Sequence, residues 1–522
     1  MAAPDSNPVE QPVPLATKAI RGAFWTGSPF LLQMFIRLLF YSWLAQEAMG
    51  TFDAALLLVM FLALVSDLGL WSALVQRRGV TDLHFSTAFW TCLCSGILIS
   101  ALATLWGAEA IEFSTTGISR LMQGAGLNVS ATPADPMARE EYSRVLSTPS
   151  LLLPFAAVSG LFRARLQREL LFRRIAMAEV GSVLIYAVFA VALLEPLQIM
   201  GPVVSAVIRE AALLVGLIIA ARWLPRVIFD LQALREILGF GLNFTGSRAL
   251  NYAVSALPAL VVLAALGKTW MAIYTFSLQL TFMPLTRIST ILTRVFFPTF
   301  SSVQEDDSTL RRGYLKSAQA VALLCWPVLA VIFVFAPVGI ELLREVRGRD
   351  YSPALTPLRL LIVATMLKAV GTGVGSMFLA KGKANWTFYW ALFTMVVLLP
   401  LLLWSVSHGL TYLSAVMAAT SFLFLALSQL LTNRLIGLRY GDYLKVLARP
   451  TLVTAFLLVT ASTLRPFLPG NALTVCLEAA IVSALLGVLA LRLFAWGTCR
   501  NLWSSLRGEA NSGSIPTDGI IR

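Results

Sequence analysis

Along the chain, long unbroken apolar stretches alternate with short connections punctuated by polar residues, Gly and Pro. The apolar windows fall at roughly 21–45, 50–76, 84–106, 146–163, 175–195, 200–221, 237–266 and 270–297, and then at 314–342, 353–380, 385–406, 409–433, 447–466 and 472–496. Each can supply the ~20 apolar residues that a helix needs to cover a hydrocarbon core. The pattern therefore predicts an all-α polytopic membrane protein with about 14 transmembrane helices. The opening segment 1–17, MAAPDSNPVEQPVPLAT, lacks a basic start followed by an apolar core, so it reads as a disordered cytoplasmic leader and not a cleaved signal. Residues 499–522 read as a polar cytoplasmic tail.

Composition removes the alternative of a water-soluble fold. The 522 residues are 58% hydrophobic and 13% charged, where a soluble domain has roughly 45–50% apolar and about a quarter charged residues. The formal charge of +13 would suit nucleic acid, but its distribution points elsewhere. With the N-terminus inside, roughly 25 basic residues fall in the inner connections and about 8 in the outer ones, as the positive-inside rule expects. Both termini are then cytoplasmic, and no nucleic-acid partner is needed. The long outer connection, 107–145, reads as a loop with one short helix. Its sequon at Asn128 would matter only in a eukaryotic secretory setting. A faint repeat pairs LAQEAMGTFDAALLL with LAALGKTWMAIYTFS about 220 residues later. It divides the chain into a first six-helix lobe at 18–234, a second at 235–440 and two further helices at 441–498.

Polar residues inside apolar windows carry the chemistry, because a charge at mid-bilayer costs from ~2.5 to over 10 kcal/mol and persists only where it faces a cavity or a partner. Gln33, Arg37 and Tyr41 share one face of the first span. In the seventh, Asn243, Ser247, Arg248, Asn251, Tyr252 and Ser255 form a polar stripe, with Arg248 about 11 residues, or ~16 Å, from the cytoplasmic end of the window. Gln279, Thr286, Arg287, Thr290 and Arg294 line one side of the eighth, and Lys368, Thr372 and Ser376 one side of the tenth. Arg294 and Arg359 lie near span ends, where snorkelling to the headgroups is the ordinary reading. Asp53 and Asp67 share a face of the second span. Asp67 and Glu179 are candidates for ion coupling, with an ion pair or a helix cap as the competing reading for Asp67. Arginine suits phosphate because its planar fork donates two parallel hydrogen bonds, and the neighbouring Asn, Ser, Thr, Gln and Tyr groups suit sugar hydroxyls. A phosphate-linked glycan is the natural cargo.

Other motifs weigh less. Gly267-Lys268-Thr269 lacks the first glycine of a phosphate-binding loop, since Val262 stands there. Glu305-Asp306-Asp307 sits on a short polar connection and reads as a solvated loop. The Gly371–Gly375 run lies inside a span and reads as close helix packing or a hinge. The five cysteines, Cys92, Cys94, Cys325, Cys476 and Cys499, lack metal-ligand spacing, and His84 and His408 by themselves make no metal site. No metal or cofactor is expected.

Five stretches together resemble the Wzx-type polysaccharide-export flippases of the multidrug/oligosaccharidyl-lipid/polysaccharide superfamily: SDLGLWSALVQRR at 66–78, STAFW at 86–90, GFGLNFTGSRALNY at 239–252, PLTRISTILTRVFFPTFSSVQED at 284–306 and FLAKGKANWTFYWALF at 378–393. The similarity runs from about residue 18 to residue 470. It departs at Gln46, where the family usually has a basic residue, and at Asp53, where it has glycine. The resemblance implies two six-helix lobes around a V-shaped cavity, with Arg248 on the cavity-lining first helix of the second lobe. It also implies alternating access that carries an undecaprenyl-diphosphate-linked oligosaccharide to the outer leaflet of the bacterial inner membrane, for surface or extracellular polysaccharide synthesis. The residues expected to meet cargo are Arg37, Asn243, Arg248, Asn251, Gln279, Arg287 and Lys368. The expected partners are the lipid-linked glycan, membrane lipid, and a polysaccharide polymerase with export machinery. Two other readings are a multidrug cation exporter, which would favour buried acids over bases, and a membrane glycosyltransferase or polymerase, which would need a catalytic cluster on a sizeable outer loop.

Overall fold

The computed structural model describes residues 32–77, 79–127, 143, 145–302, 306–467 and 470–507. Its helices are α1 over 32–43, α2 Gln46–Ser66, α3 Leu70–Gln76, α4 Asp82–Gly124, α5 Val145–Arg168, α6 Phe172–Leu197, α7 Met200–Ala221 and α8 Leu231–Leu266. They continue with α9 Lys268–Ser302, α10 Asp307–Arg347, α11 Leu355–Gly371, α12 Gly373–Ala380, α13 Ala384–Val406, α14 Leu410–Ile436, α15 Tyr440–Leu464 and α16 Ala472–Arg507. Among the described residues there is no strand, and 12 helical segments are long and apolar enough to cross a membrane. The chain is thus a polytopic all-α membrane protein. The helix at 32–43 and the longer, more polar α9 occupy the two remaining apolar windows, which gives about 14 crossings.

Helix boundaries follow local chemistry. Asp230 caps α8 by accepting the N–H groups of Gln232 and Ala233 at 3.0 and 3.4 Å. Asp306 caps α10 in the same way, through Ser308 and Thr309. Thr81 and His84 form a reciprocal capping box at the start of α4.

The second window is not one helix. Asp67 closes α2 by accepting the Gly69 N–H at 2.8 Å, and Gly69 then takes φ +66°, a left-handed turn that glycine adopts without steric cost. The chain resumes as α3. The tenth window likewise breaks between α11 and α12, so the glycine run does mark an interruption.

Two expectations need correction. The segment after residue 106, read as a loop with one short helix, continues α4 without a break to Gly124. Its Gly107, Ala108, Ile111 and Met122 are buried, Gly107 facing Leu146 and the other three belonging to the large apolar cluster that also holds Leu146 and Leu257, and Ser119 donates to the Ala264 carbonyl at 3.2 Å. Tertiary burial overrides the Ser, Thr and Gly punctuation, and the Ser114 and Thr115 hydroxyls turn back onto carbonyls four residues earlier. The sequon at Asn128 lies outside the described residues. At the other end α16 runs to Arg507, into the segment read as a polar tail.

Helices α4, α5, α6 and α7 pack on one another in one group, and α10, α11, α14, α15 and α16 in another. Between the groups, α8 packs against α2, α3, α4, α9 and α13, while α9 packs against α2, α10 and α11. The α2–α9 contact is closest at Gly50, where an added Cβ would sit 1.9 Å from the Lys268 carbonyl oxygen. A Gly50→Val variant is therefore expected to hold the adjoining ends of α2 and α9 apart. A cysteine placed at Thr275 should then react faster with a water-soluble thiol reagent than the same cysteine in the Gly50 protein. Equal rates would mean that the two ends do not need this contact to stay closed.

Candidate functional site

Helix α8 presents a ladder of polar groups on one line. Asn243, Ser247, Asn251 and Ser255 recur every four residues and all are exposed. Each donor satisfies itself locally: Ser247 Oγ donates to the Asn243 carbonyl at 3.2 Å, Asn251 Nδ2 to that of Ser247 at 2.8 Å, and Ser255 Oγ to that of Asn251 at 2.9 Å. The oxygens of these side chains stay available as acceptors. Exposed polar groups inside a membrane helix belong on a face that meets water or cargo, since hydrocarbon leaves them unpaired.

Arg248 flanks this ladder, 17 residues after the start of α8 and so about 26 Å along a helix about 54 Å long. It is at mid-helix. Its side chain is 37% exposed, and Nη1 lies 3.7 Å from Asp67 Oδ2, beyond hydrogen-bond reach. The guanidinium also stands over the Phe244 ring at 5.7 Å. The backbone brings this pair together. An added Cβ on Gly69 would meet the Gly241 carbonyl oxygen at 2.2 Å, and one on Gly241 would meet the Leu68 carbonyl at 2.5 Å. The turn that ends α2 thus presses directly on α8, two turns before Arg248. Tyr252, on the same flank, donates to the Leu57 carbonyl at 2.7 Å. The structure therefore places Asp67 beside Arg248, the arginine partner that the sequence left unnamed.

Arg37 has a different environment. Expected on a cargo-facing stripe with Gln33 and Tyr41, it forms an ion pair with Asp53, the side chains being 12% and 2% exposed. Tyr41 donates to the other Asp53 oxygen at 3.1 Å, and the Thr275 hydroxyl contacts that same oxygen. The aromatic rings of Tyr41, Phe276 and Tyr351 close around the group. In this arrangement the charge of Arg37 is neutralised inside the protein and does not face the α8 ladder. Nearby, Gln46 donates to the Asp350 carbonyl at 2.5 Å and the Arg347 guanidinium stacks over Trp43 at 3.6 Å. This end of the bundle is closed by contacts among α1, α2, α9 and the residues after α10.

Sequence reading missed the Arg37–Asp53–Thr275 cluster, although a signal was present. Arg37 precedes the break at Ala45 by eight residues, Asp53 follows it by eight, and Thr275 follows the Gly267 turn by eight. All three lie about 12 Å from the same end of the bundle.

The remaining candidates are spread out. Gln279 is half-buried, and Lys368 stands with Nζ 4.9 Å from the Phe282 ring centroid. The side chains of Arg287, Thr290 and Arg294 lie outside the described residues. Glu179 pairs with Arg163 at 3.3 Å. In the acidic run, Asp306 caps α10 and its hydrogen bonds from Thr309 and Ser308 hold its carboxyl below the usual carboxylate range, while Asp307 pairs with Lys381 at 2.5 Å. Among the described residues no group of His, Cys, Asp and Glu could hold a metal ion. At the basic end Glu236 ties α8 to the first group of helices, accepting from Arg77 at 2.5 Å and standing 3.2 Å from His84.

The chain as a whole is similar to several known proteins. The teichuronic acid biosynthesis protein TuaB of Bacillus subtilis is 25% identical over 403 residues, covering 76% of this chain and 77% of its own. The lipopolysaccharide biosynthesis protein WzxC of Escherichia coli is 25% identical over 397 residues, covering 74% and 75%. Among solved structures, the lipid II flippase MurJ in an inward closed conformation superposes with a TM-score of 0.71 at 12% identity, over 93% of this chain and all of that one, a likeness of fold. The model of the family described as polysaccharide biosynthesis protein matches residues 43–132 and 108–345, more than half of the chain. With its helix pattern and this match in agreement, the chain belongs to the polysaccharide biosynthesis protein family.

Proposed function

We propose that the protein moves an undecaprenyl-diphosphate-linked oligosaccharide repeat unit from the cytoplasmic to the outer leaflet of a bacterial inner membrane, by alternating access between lobes at 18–234 and 235–440. The observation that carries this reading is the exposed ladder of α8 with Arg248 beside it at mid-helix. A diphosphate offers paired oxygens to the guanidinium fork, and sugar hydroxyls can donate to the Asn and Ser oxygens of the ladder. The polyprenyl tail stays in the bilayer, so the protein needs to shield only the headgroup. Asp67 already sits near Arg248 at a distance that leaves the guanidinium available, and cargo phosphate would displace it as the counter-ion.

The basic end, with Arg77, Arg165, Arg168 and Arg226, is assigned to the cytoplasm by the positive-inside rule, which puts both termini inside. The closed end around Asp53 then faces outward, and the state is closed to the outside. A potential negative inside favours outward movement of an anion by ~2.3 kcal/mol per charge per 100 mV. The balance of bases over acids on the inward stripes speaks against a cation exporter.

Cells deleted for this protein are expected to accumulate the lipid-linked repeat unit on the cytoplasmic leaflet while its synthesis continues. The measurement is the sidedness of that intermediate in right-side-out and inverted vesicles. A normal outer-leaflet supply would refute the assignment.

A further inference from the structure

Between the end of α7 at Ala221 and the start of α8 at Leu231 the chain runs without helix, and its side chains are distributed against expectation. Leu224, Val227, Ile228, Phe229 and Leu231 are all exposed, Val227 by 88% and Leu224 by 69%. A connection leaving a membrane normally turns polar residues outward. The exposure does not come from a loose loop, because the backbone is fixed to the first turns of α4. The Arg226 N–H donates to Ser86 Oγ at 3.1 Å, the Arg226 carbonyl accepts from Trp90 Nε1 at 2.9 Å, and the Asp230 N–H donates to Thr87 Oγ1 at 3.2 Å. Trp223 anchors the same stretch from below, its ring 5.8 Å from Phe85 and 5.7 Å from Phe162, with Arg165 over it at 4.9 Å. The polar backbone is satisfied inward and the apolar side chains are held outward.

We propose that this linker is a membrane-surface anchor, seated in the boundary between headgroups and acyl chains of an anionic leaflet at the basic end of the bundle. Two observations select lipid as the occupant. The strip continues directly from the spans α7 and α8, so it lies where their hydrocarbon zone ends. Interleaved with the apolar residues are Arg222 and Arg226, with Arg235 one turn into α8, all exposed. Apolar side chains at the acyl boundary with arginines reaching to anionic headgroups is the chemistry of an interfacial segment. A water-facing strip would leave the apolar residues exposed at a cost proportional to their area. Because the linker is bound to α4, the anchor also fixes the base from which α8 rises. This inference concerns one face of the bundle and does not depend on what the protein carries.

The test places a spin label at Val227, Ile228 or Phe229 through a ketone-bearing amino acid, leaving the five native cysteines untouched. The full-length protein is reconstituted in nanodiscs of phosphatidylcholine with phosphatidylglycerol. Collision with oxygen should exceed collision with a water-soluble nickel chelate several-fold at these positions, with the ratio reversed at Gln232. Replacing phosphatidylglycerol by phosphatidylcholine should raise nickel contact at all three. Nickel contact equal to or above oxygen contact in the mixed lipid would overturn the proposal, as would protection from both reagents, which marks a protein partner or a second copy. An unchanged ratio in neutral lipid would overturn the role given to the arginines.

Discussion

An Arg248→Ala variant is expected to insert and accumulate in the membrane like the parent and yet to lose surface polysaccharide. Arg248 lies on no apolar core: its side chain is 37% exposed and its carboxylate neighbour is 3.7 Å away, so truncation removes a charge without opening a buried cavity. The loss falls on cargo. Each hydrogen bond between guanidinium and phosphate is worth about 1.5–3 kcal/mol, and removing two lowers affinity for cargo by about a hundredfold or more. Arg248→Lys keeps the charge but not the fork, and is expected to restore export only in part. Asp67→Asn should strengthen cargo capture by removing the competing carboxylate, and slow its release. Surface polysaccharide, the lipid-linked intermediate and membrane protein level measured together decide the matter. Full export by the alanine variant at normal protein level would take Arg248 out of the site.

The second large effect is expected at the closed end and concerns stability. Asp53→Ala leaves Arg37 buried without its counter-ion, and Arg37→Ala leaves Asp53 in the same position. Breaking one partner of a buried ion pair costs about 3–5 kcal/mol, whereas replacing both by apolar residues of similar volume is close to neutral. The singles should therefore unfold well below the parent temperature in detergent, and Arg37→Met with Asp53→Leu should recover most of the loss. Singles whose effects simply add in the double variant would show that the two side chains do not depend on each other. The recovered double variant separates folding from transport. If the cluster serves to close the outer end, this variant is stable but moves less cargo, because the Asp53–Thr275 contact between α2 and α9 is gone.

The number and placement of the membrane helices were legible in the sequence because burial in lipid demands a run of apolar residues whatever the tertiary arrangement. What escaped depended on local contacts. The α4 extension has Gly117, Ser114, Thr115 and Thr116 in a polar stretch, and it is helical because Ile111 and Met122 find a buried surface. The break in α2 was hidden inside an apolar window, since Asp67 and Gly69 interrupt a helix by hydrogen bonding and by a left-handed φ, neither of which changes hydropathy.

For the site, periodicity correctly aligned Asn243, Ser247, Asn251 and Ser255, because residues four apart share a face of any α-helix. Periodicity placed Arg37 and Arg248 each on a polar stripe of its span and expected both to meet cargo, Arg248 being the one with the mid-membrane depth. The fold separates them: Asp53 on α2 and Thr275 on α9 enclose Arg37, whereas the α2–α3 turn brings Asp67 only within loose range of Arg248. The chain by itself determined that there are membrane helices and which faces of them are polar, since both follow from solvent and from the pitch of one helix. Only tertiary structure decided which of those polar faces meet each other and which stay open, because that depends on the register between helices far apart in sequence, set here by backbone contacts at Gly50, Gly69 and Gly241.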